Sequence, residues 1–164
     1  MDQQQLENEK RQQELERGVG QPNWIYIGFD VRFPHSPLSK IGITKGKLGT
    51  RATGTQNPFY ALLIAFKVKP QVSKKELERM EKVIKKELSS YHKPLPHVMT
   101  GKDSEWYEIH PQTMKETVEA ILEDWFLDKF LGGYCDMQER FIFETWNNGV
   151  FQGSCHHGLS PSVV

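Results

Sequence analysis

Cysteine and long apolar runs are both scarce in this chain, and each shortage excludes a class of protein. Only two cysteines, Cys135 and Cys155, occur among the 164 residues, too few for the disulfide framework of a small secreted domain. No apolar run approaches the roughly 18 residues that a membrane-spanning helix requires. Residues 1–17 also lack the apolar centre of a signal peptide. We therefore expect an intracellular, cytoplasmic protein that contacts no membrane.

A net charge is also absent, because 21 basic and 21 acidic residues balance, but the charges are unevenly distributed. Residues 40–102 carry fourteen bases against four acids, whereas residues 103–164 carry three bases against eleven acids. A basic segment of this kind is typical of a surface that binds a polyanion such as nucleic acid. The two segments could instead pack together and neutralise each other, so charge alone leaves both interpretations open.

The hydrophobic pattern divides the chain into three parts and predicts a mixed α/β (α+β) fold. Residues 1–21 are rich in Gln and Glu and predict a polar arm or helix, with too few leucines for a good oligomer seam. Residues 22–109 contain three β-branched or aromatic runs and then an amphipathic helix at 73–91. Residues 110–164 predict a helical and aromatic extension with a flexible tail, and the helix spans 113–131.

Four polar residues fall where this pattern would orient them for chemistry. Tyr26 lies within the first strand, where a phenol is held rigidly, and Lys40 opens the second strand. Gly42 lies on the same face as Lys40 and leaves a gap through which a substrate backbone could approach. Arg51 can bind a phosphate through two guanidinium nitrogens. Glu81 lies at the border of the apolar stripe of the helix, which makes it a candidate metal ligand.

Each of these residues also has a purely structural interpretation. A tyrosine in the middle of a strand, such as Tyr26, is commonly a core aromatic residue. Lys40 and Arg51 could be ordinary surface bases. Glu81 could pair with Lys85, four residues later on the same helix, which is a common and weak stabilising arrangement.

Taken in order, these residues resemble the GIY-YIG nuclease superfamily, and in particular its T5orf172-type branch of phage and mobile-element proteins. Residues 24–26, Trp-Ile-Tyr, stand where that superfamily has Gly-Ile-Tyr, and residues 40–44, Lys-Ile-Gly-Ile-Thr, resemble this branch's version of the second motif. The remaining similar positions are Arg51, Asn57-Pro58, Glu81 and Glu105-Trp106-Tyr107. Lys85 stands where relatives often have a histidine. The resemblance spans residues 22–109.

The resemblance implies a three-stranded antiparallel sheet flanked by helices, and the activity of a metal-dependent, sequence-specific DNA endonuclease. In such a site Tyr26 would act as general base or proton relay beside Lys40. Arg51 would hold the scissile phosphate, and Glu81 would bind one Mg²⁺ or Mn²⁺. Contacts to duplex DNA are expected from Lys45, Lys47, Asn57, Lys74 and Lys82.

Two other functions remain open at this stage. The chain could be a catalytically inactive relative that binds DNA as a regulator, or a protein-interaction domain whose basic helix meets an acidic partner. The sequence also leaves a homodimer open.

Overall fold

The computed structural model describes residues 3–16, 23–32, 38–45, 48, 57–135 and 140–148. In chain order its elements are α1 (Gln3–Glu16), β1 (Asn23–Asp30), β2 (Leu38–Lys45), β3 (Tyr60–Val68), α2 (Lys74–Tyr91), β4 (Pro94–Pro96), β5 (Asp103–Glu108), α3 (Pro111–Phe126), a 3₁₀ turn (Leu127–Lys129), β6 (Gly132–Cys135), β7 (Arg140–Phe143) and β8 (Thr145–Asn147). Within these ranges no helix is both long and apolar enough to cross a lipid bilayer.

Strand β1 is the middle of an antiparallel sheet whose strand order is β4-β5-β2-β1-β3-β8. All eight residues of β1 are buried, as expected for a strand that is covered on both faces. The three strands predicted from the sequence are therefore confirmed as β1, β2 and β3. The three-stranded sheet that the resemblance implied is too small, because β5 pairs with β2 and β8 pairs with β3.

One face of the sheet supports the larger hydrophobic core. Ile25, Ile27 and Phe29 alternate along β1 and point to this face. The fully buried residues of α2 pack there, namely Leu77, Met80, Ile84 and Leu88. Helix α2 begins with a side-chain cap, since the Glu76 N–H donates to the Ser73 hydroxyl at 3.1 Å. The register of the apolar stripe thus packs α2 against β2 and α3, while α3 covers β1.

The opposite face of the sheet carries a smaller aromatic cluster. Its buried members are Trp24, Tyr26, Leu48, Tyr60, Leu62 and Ala65, with Trp106 and Trp146 packed against them. Because successive side chains of a strand point to opposite faces, Tyr26 lies on the side of the sheet away from α2.

The segment after residue 110 is only partly helical. Met114, Val118 and Leu122 of α3 are fully buried in the same core as α2, so the core continues across residue 110. The helix predicted over 113–131 is observed as α3 and the 3₁₀ turn, whereas the residues that follow, predicted only as aromatic, form strands at 132–135, 140–143 and 145–147. The helical region ends at Lys129, Phe130 already has extended backbone, and the aromatic residues that follow favour strands.

Candidate functional site

The ring of Tyr26 lies directly across Gly42 on the neighbouring strand. The two residues are paired in the β1–β2 register. A Cβ added at Gly42 would lie 2.5 Å from the Tyr26 hydroxyl oxygen and 2.6 Å from the adjoining ring carbon. We expected the gap at Gly42 to admit a substrate backbone, but the structure fills it with this phenol ring. Glycine is required here so that Tyr26 can lie flat across β2.

A second tyrosine repeats this arrangement one register step along the sheet. Gly28 pairs with Lys40, and a Cβ at Gly28 would collide with the Tyr60 ring. The Lys40 ammonium lies 5.9 Å from the centre of that ring, within range of a cation–π interaction. Trp106, which pairs with Lys40 across β2 and β5, packs edge-on against Tyr60 at 6.0 Å. The Lys40 side chain therefore lies next to an aromatic surface, and its ammonium lies near the border between β2 and β5.

Three ion pairs in succession connect β2 to α2, and we call their four residues the ion-pair series. The Lys40 Nζ lies 2.8 Å from Glu105 Oε2. The Lys85 Nζ lies 3.7 Å from Glu105 Oε1 and 2.9 Å from Glu81 Oε1. The pairing of Glu81 with Lys85, which was the structural alternative for Glu81, is thus present on the helix. The sequence did not predict that Glu105 would join this pair to Lys40.

Charge around Glu105 keeps that carboxylate ionised. Burial opposes its ionisation, but the hydrogen bond and charge of Lys40, together with those of Lys85, outweigh this effect and lower the pKa of Glu105. The Glu105 side chain is half exposed, whereas the Lys40 side chain is only 19% exposed. The lysine is therefore the more enclosed partner and Glu105 lies toward solvent.

Glu81 and Lys40 belong to opposite faces of the sheet, and the ion-pair series connects them around the edge of β2. Tyr26 lies on the aromatic face and is 4% exposed, while α2 lies on the other face. Lys40 shares the face of Tyr26, and its pairing with Glu105 carries the series past β2. The burial of Tyr26 agrees with the interpretation of this residue as a core aromatic. Its position on the same face of the sheet as Lys40 agrees with the chemical interpretation.

Asn57 holds the end of β1 to the start of β3. Its side-chain amide donates to Asp30 Oδ2 at 3.0 Å and accepts from the Phe59 N–H at 2.9 Å. Arg32 donates to both Asp30 carboxylate oxygens, at 2.7 and 3.1 Å. The Arg32 guanidinium, followed by the Asn57 amide, holds the pKa of Asp30 well below its usual range. Both ends of the Asn57 amide are thus engaged within the protein.

The other predicted DNA contacts are only partly described. Lys74 and Lys82 lie on α2, and both side chains are exposed. Lys45 ends β2, but its side chain lies outside the described part of the structure, as do Lys47 and Arg51. Among the described residues, no group of three or more His, Cys, Asp or Glu side chains is placed to hold a metal ion.

Comparison with known proteins places the chain in a family. No curated protein and no solved structure matches it. The family model described as T5orf172 domain matches residues 23–125, which is well over half of the chain. This match includes the Tyr26 strand, the whole ion-pair series and nearly all of α3. The chain belongs to the T5orf172 domain family.

Proposed function

We propose that this protein is a DNA endonuclease that hydrolyses phosphodiester bonds of duplex DNA with the help of one divalent cation. T5orf172 domains are associated with nuclease-like proteins. The observation that carries the proposal is the ion-pair series, since it joins Lys40, which shares a face of the sheet with Tyr26, to Glu81 on α2. The basic balance of residues 40–102 supports a polyanionic substrate. The proposal extends to membership of the GIY-YIG superfamily.

Lys40 and Tyr26 would act on the phosphate and on the attacking water. Hydrolysis of a phosphodiester requires a proton acceptor for the water and positive charge near the phosphoryl oxygens. The Lys40 ammonium would exchange its contact with Glu105 for one with a phosphate oxygen. The Tyr26 hydroxyl, on the same face of the sheet, would hold or pass the proton of the water. Arg51, outside the described residues, would add a second phosphate contact.

The donor set around Lys85 fits a hard divalent cation. Glu81 and Glu105 both present carboxylate oxygens to the Lys85 ammonium, so a cation that displaced this ammonium would meet two carboxylates. Mg²⁺ is commonly bound by one or two carboxylates, with water and substrate phosphate completing its shell. In this arrangement Glu81 would hold the ion and Glu105 would balance its charge. The bound ion would supply positive charge to the leaving oxygen.

The decisive test compares two glutamates on the same helix. Glu81→Gln removes the proposed ligand, whereas Glu87→Gln changes a glutamate of α2 outside the ion-pair series and serves as the matched control. Each protein is incubated with supercoiled plasmid and with phage genomic DNA, in Mg²⁺ or Mn²⁺, and the DNA ends are mapped. We expect Glu81→Gln to slow cleavage by on the order of 100-fold or more, with an unchanged circular dichroism spectrum. Equal cleavage by the two variants would remove Glu81 from the site.

One observation favours a second function, that of an inactive relative which binds DNA without cutting it. The Lys85 ammonium lies 2.9 Å from Glu81 Oε1 and neutralises the carboxylate that the cation needs. If this pair persists on DNA, the chain would keep its basic surface but have no metal ion. Gel shifts that weaken steeply with salt, without metal-dependent cleavage of any DNA tested, would support this function. Replacement of Lys85 by methionine would then be expected to create cation binding, measured by calorimetry with Mn²⁺.

A further inference from the structure

The turn between β4 and β5 carries two apolar side chains that project into water. Val98 is 100% exposed and Met99 is 94% exposed, more than any other large hydrophobic residue in the described ranges. Single exposed apolar residues are common on protein surfaces and need no explanation. Val98 and Met99 are different, because they are adjacent at the end of a hairpin and together form a small apolar protrusion.

This turn is well ordered by its own hydrogen bonds. The His97 N–H donates to the Lys102 carbonyl at 2.8 Å, and the Gly101 N–H donates to the His97 carbonyl at 2.8 Å. The Lys102 N–H donates to the Thr100 hydroxyl oxygen at 3.3 Å. Gly101 has a φ of +68°, a conformation that glycine adopts without strain. Val98 and Met99 are therefore presented on a defined backbone, and binding there would order few new residues.

The surroundings of the turn are basic. Residues 89–102 contain two lysines and two histidines and no acidic residue. Lys93 and Lys102 are exposed, and neither forms an ion pair in the part of the chain that the structure describes. An apolar protrusion flanked by lysines complements a partner whose apolar groups lie between two rows of negative charge. Duplex DNA has this composition, with stacked bases between two phosphate backbones.

Strand β5 connects this turn to the ion-pair series. Met99 precedes Glu105 by six positions, and an extended chain covers about 3.3 Å per residue, so the two lie at most about 20 Å apart. At 3.4 Å per base pair this corresponds to about six base pairs of one duplex. A duplex whose phosphate contacts Lys40 can thus also reach the turn.

We propose that Val98 and Met99 form a wedge that enters the minor groove and partly unstacks one base step, while Lys93 and Lys102 contact the flanking phosphates. Proteins that kink DNA use apolar side chains such as methionine in this way. The proposal rests on DNA as the partner in the proposed function. A protein partner is disfavoured, because two side chains cover far less area than a stable protein interface requires.

The experiment measures unstacking and binding separately. Short duplexes carry 2-aminopurine opposite thymine at successive positions, and its fluorescence rises when its neighbours unstack. The full chain is compared with the double variant Val98→Ser/Met99→Ser. Ile142→Ser on β7 is the matched control, because Ile142 is an exposed apolar residue on a different hairpin. A second double variant, Val98→Leu/Met99→Leu, keeps the apolar character of the turn.

We expect the full chain, Ile142→Ser and the leucine variant to raise the fluorescence at one or two positions. The serine variant should lose this rise and bind duplex at least about tenfold more weakly, while keeping the salt dependence of its remaining affinity. An equal rise with the serine variant, or no rise with any protein that binds, would overturn the wedge and leave DNA binding intact. Failure of the full chain to bind any duplex at low salt would overturn both proposals.

Discussion

Replacement of Gly42 by alanine tests whether the position of the Tyr26 hydroxyl matters for catalysis. The added Cβ would lie 2.5 Å from that oxygen, whereas ordinary contacts begin at 3.4 Å. The hydroxyl must therefore move by about 0.9 Å, together with a ring that is almost wholly buried. Overpacking of this kind costs about 1–3 kcal/mol of stability. A misplacement near 1 Å in an active site costs on the order of 100-fold in rate.

Gly28→Ala is the matched control for this experiment. Its added Cβ would collide with the Tyr60 ring more closely than that of Gly42→Ala meets Tyr26, so it should destabilise the protein at least as much. It displaces Tyr60 and leaves the pairing of Tyr26 with Gly42 in place. We expect similar falls in melting temperature for both variants, and a slowing of on the order of 100-fold for Gly42→Ala. The slowing for Gly28→Ala should be much smaller, because the displaced Tyr60 ring lies near Lys40 while Tyr26 keeps its partner Gly42.

The assay is single-turnover cleavage of the mapped DNA substrate, well below both melting temperatures. Circular dichroism and thermal melting report the stability of each variant. Cleavage at the wild-type rate by a destabilised Gly42→Ala would refute the reasoning, because Tyr26 would then have moved without consequence. Equal slowing by Gly28→Ala would also refute it, since general loosening of the aromatic cluster would explain both results.

Two further predictions concern the carboxylates that the structure surrounds with charge. Glu105→Gln removes the charge shared by Lys40 and Lys85; we expect about tenfold slower single-turnover cleavage and a stability change below about 1 kcal/mol, because Glu105 is half exposed. Loss of stability at an unchanged rate would make Glu105 a purely structural residue. Asp30 has a lowered pKa, so its contribution to stability is complete above the ordinary carboxyl pKa and is lost as the pH falls. The gap in urea midpoint between wild type and Asp30→Asn should therefore be widest at pH 7 and narrow below about pH 4, and a gap independent of pH would contradict this.

Long periodic segments of the chain could be predicted from the sequence. Strand β3 is a nine-residue apolar run, and α2 combines an apolar stripe with a capping residue, Ser73. Such elements are specified by their own residues, because burial of one face or both faces follows directly from the pattern.

The outer strands could not be predicted in this way. Strand β4 is three residues long and contains Pro94 and Pro96, which cannot donate to a strand ladder. Strand β8 is also three residues long and exists because β3 offers it a partner. The ion pair between Lys40 and Glu105 joins residues 65 positions apart and depends on the β2–β5 register. Within the ion-pair series, only the pairing of Glu81 with Lys85 is local, and the helical spacing of four residues indicated it as an alternative.

The burial of α3 determines how this domain can be exchanged between proteins. A fragment that stops at residue 109 would remove Met114, Val118 and Leu122 and expose the apolar surfaces of α2 and β1 that they cover. Fusion and gene-recombination events that retain a working unit must therefore carry α3 along with the sheet. Because Phe130 and Phe143 belong to the same core and β8 completes the sheet, natural chimaeras that contain this module should have their junctions after residue 147, however varied the segments attached there.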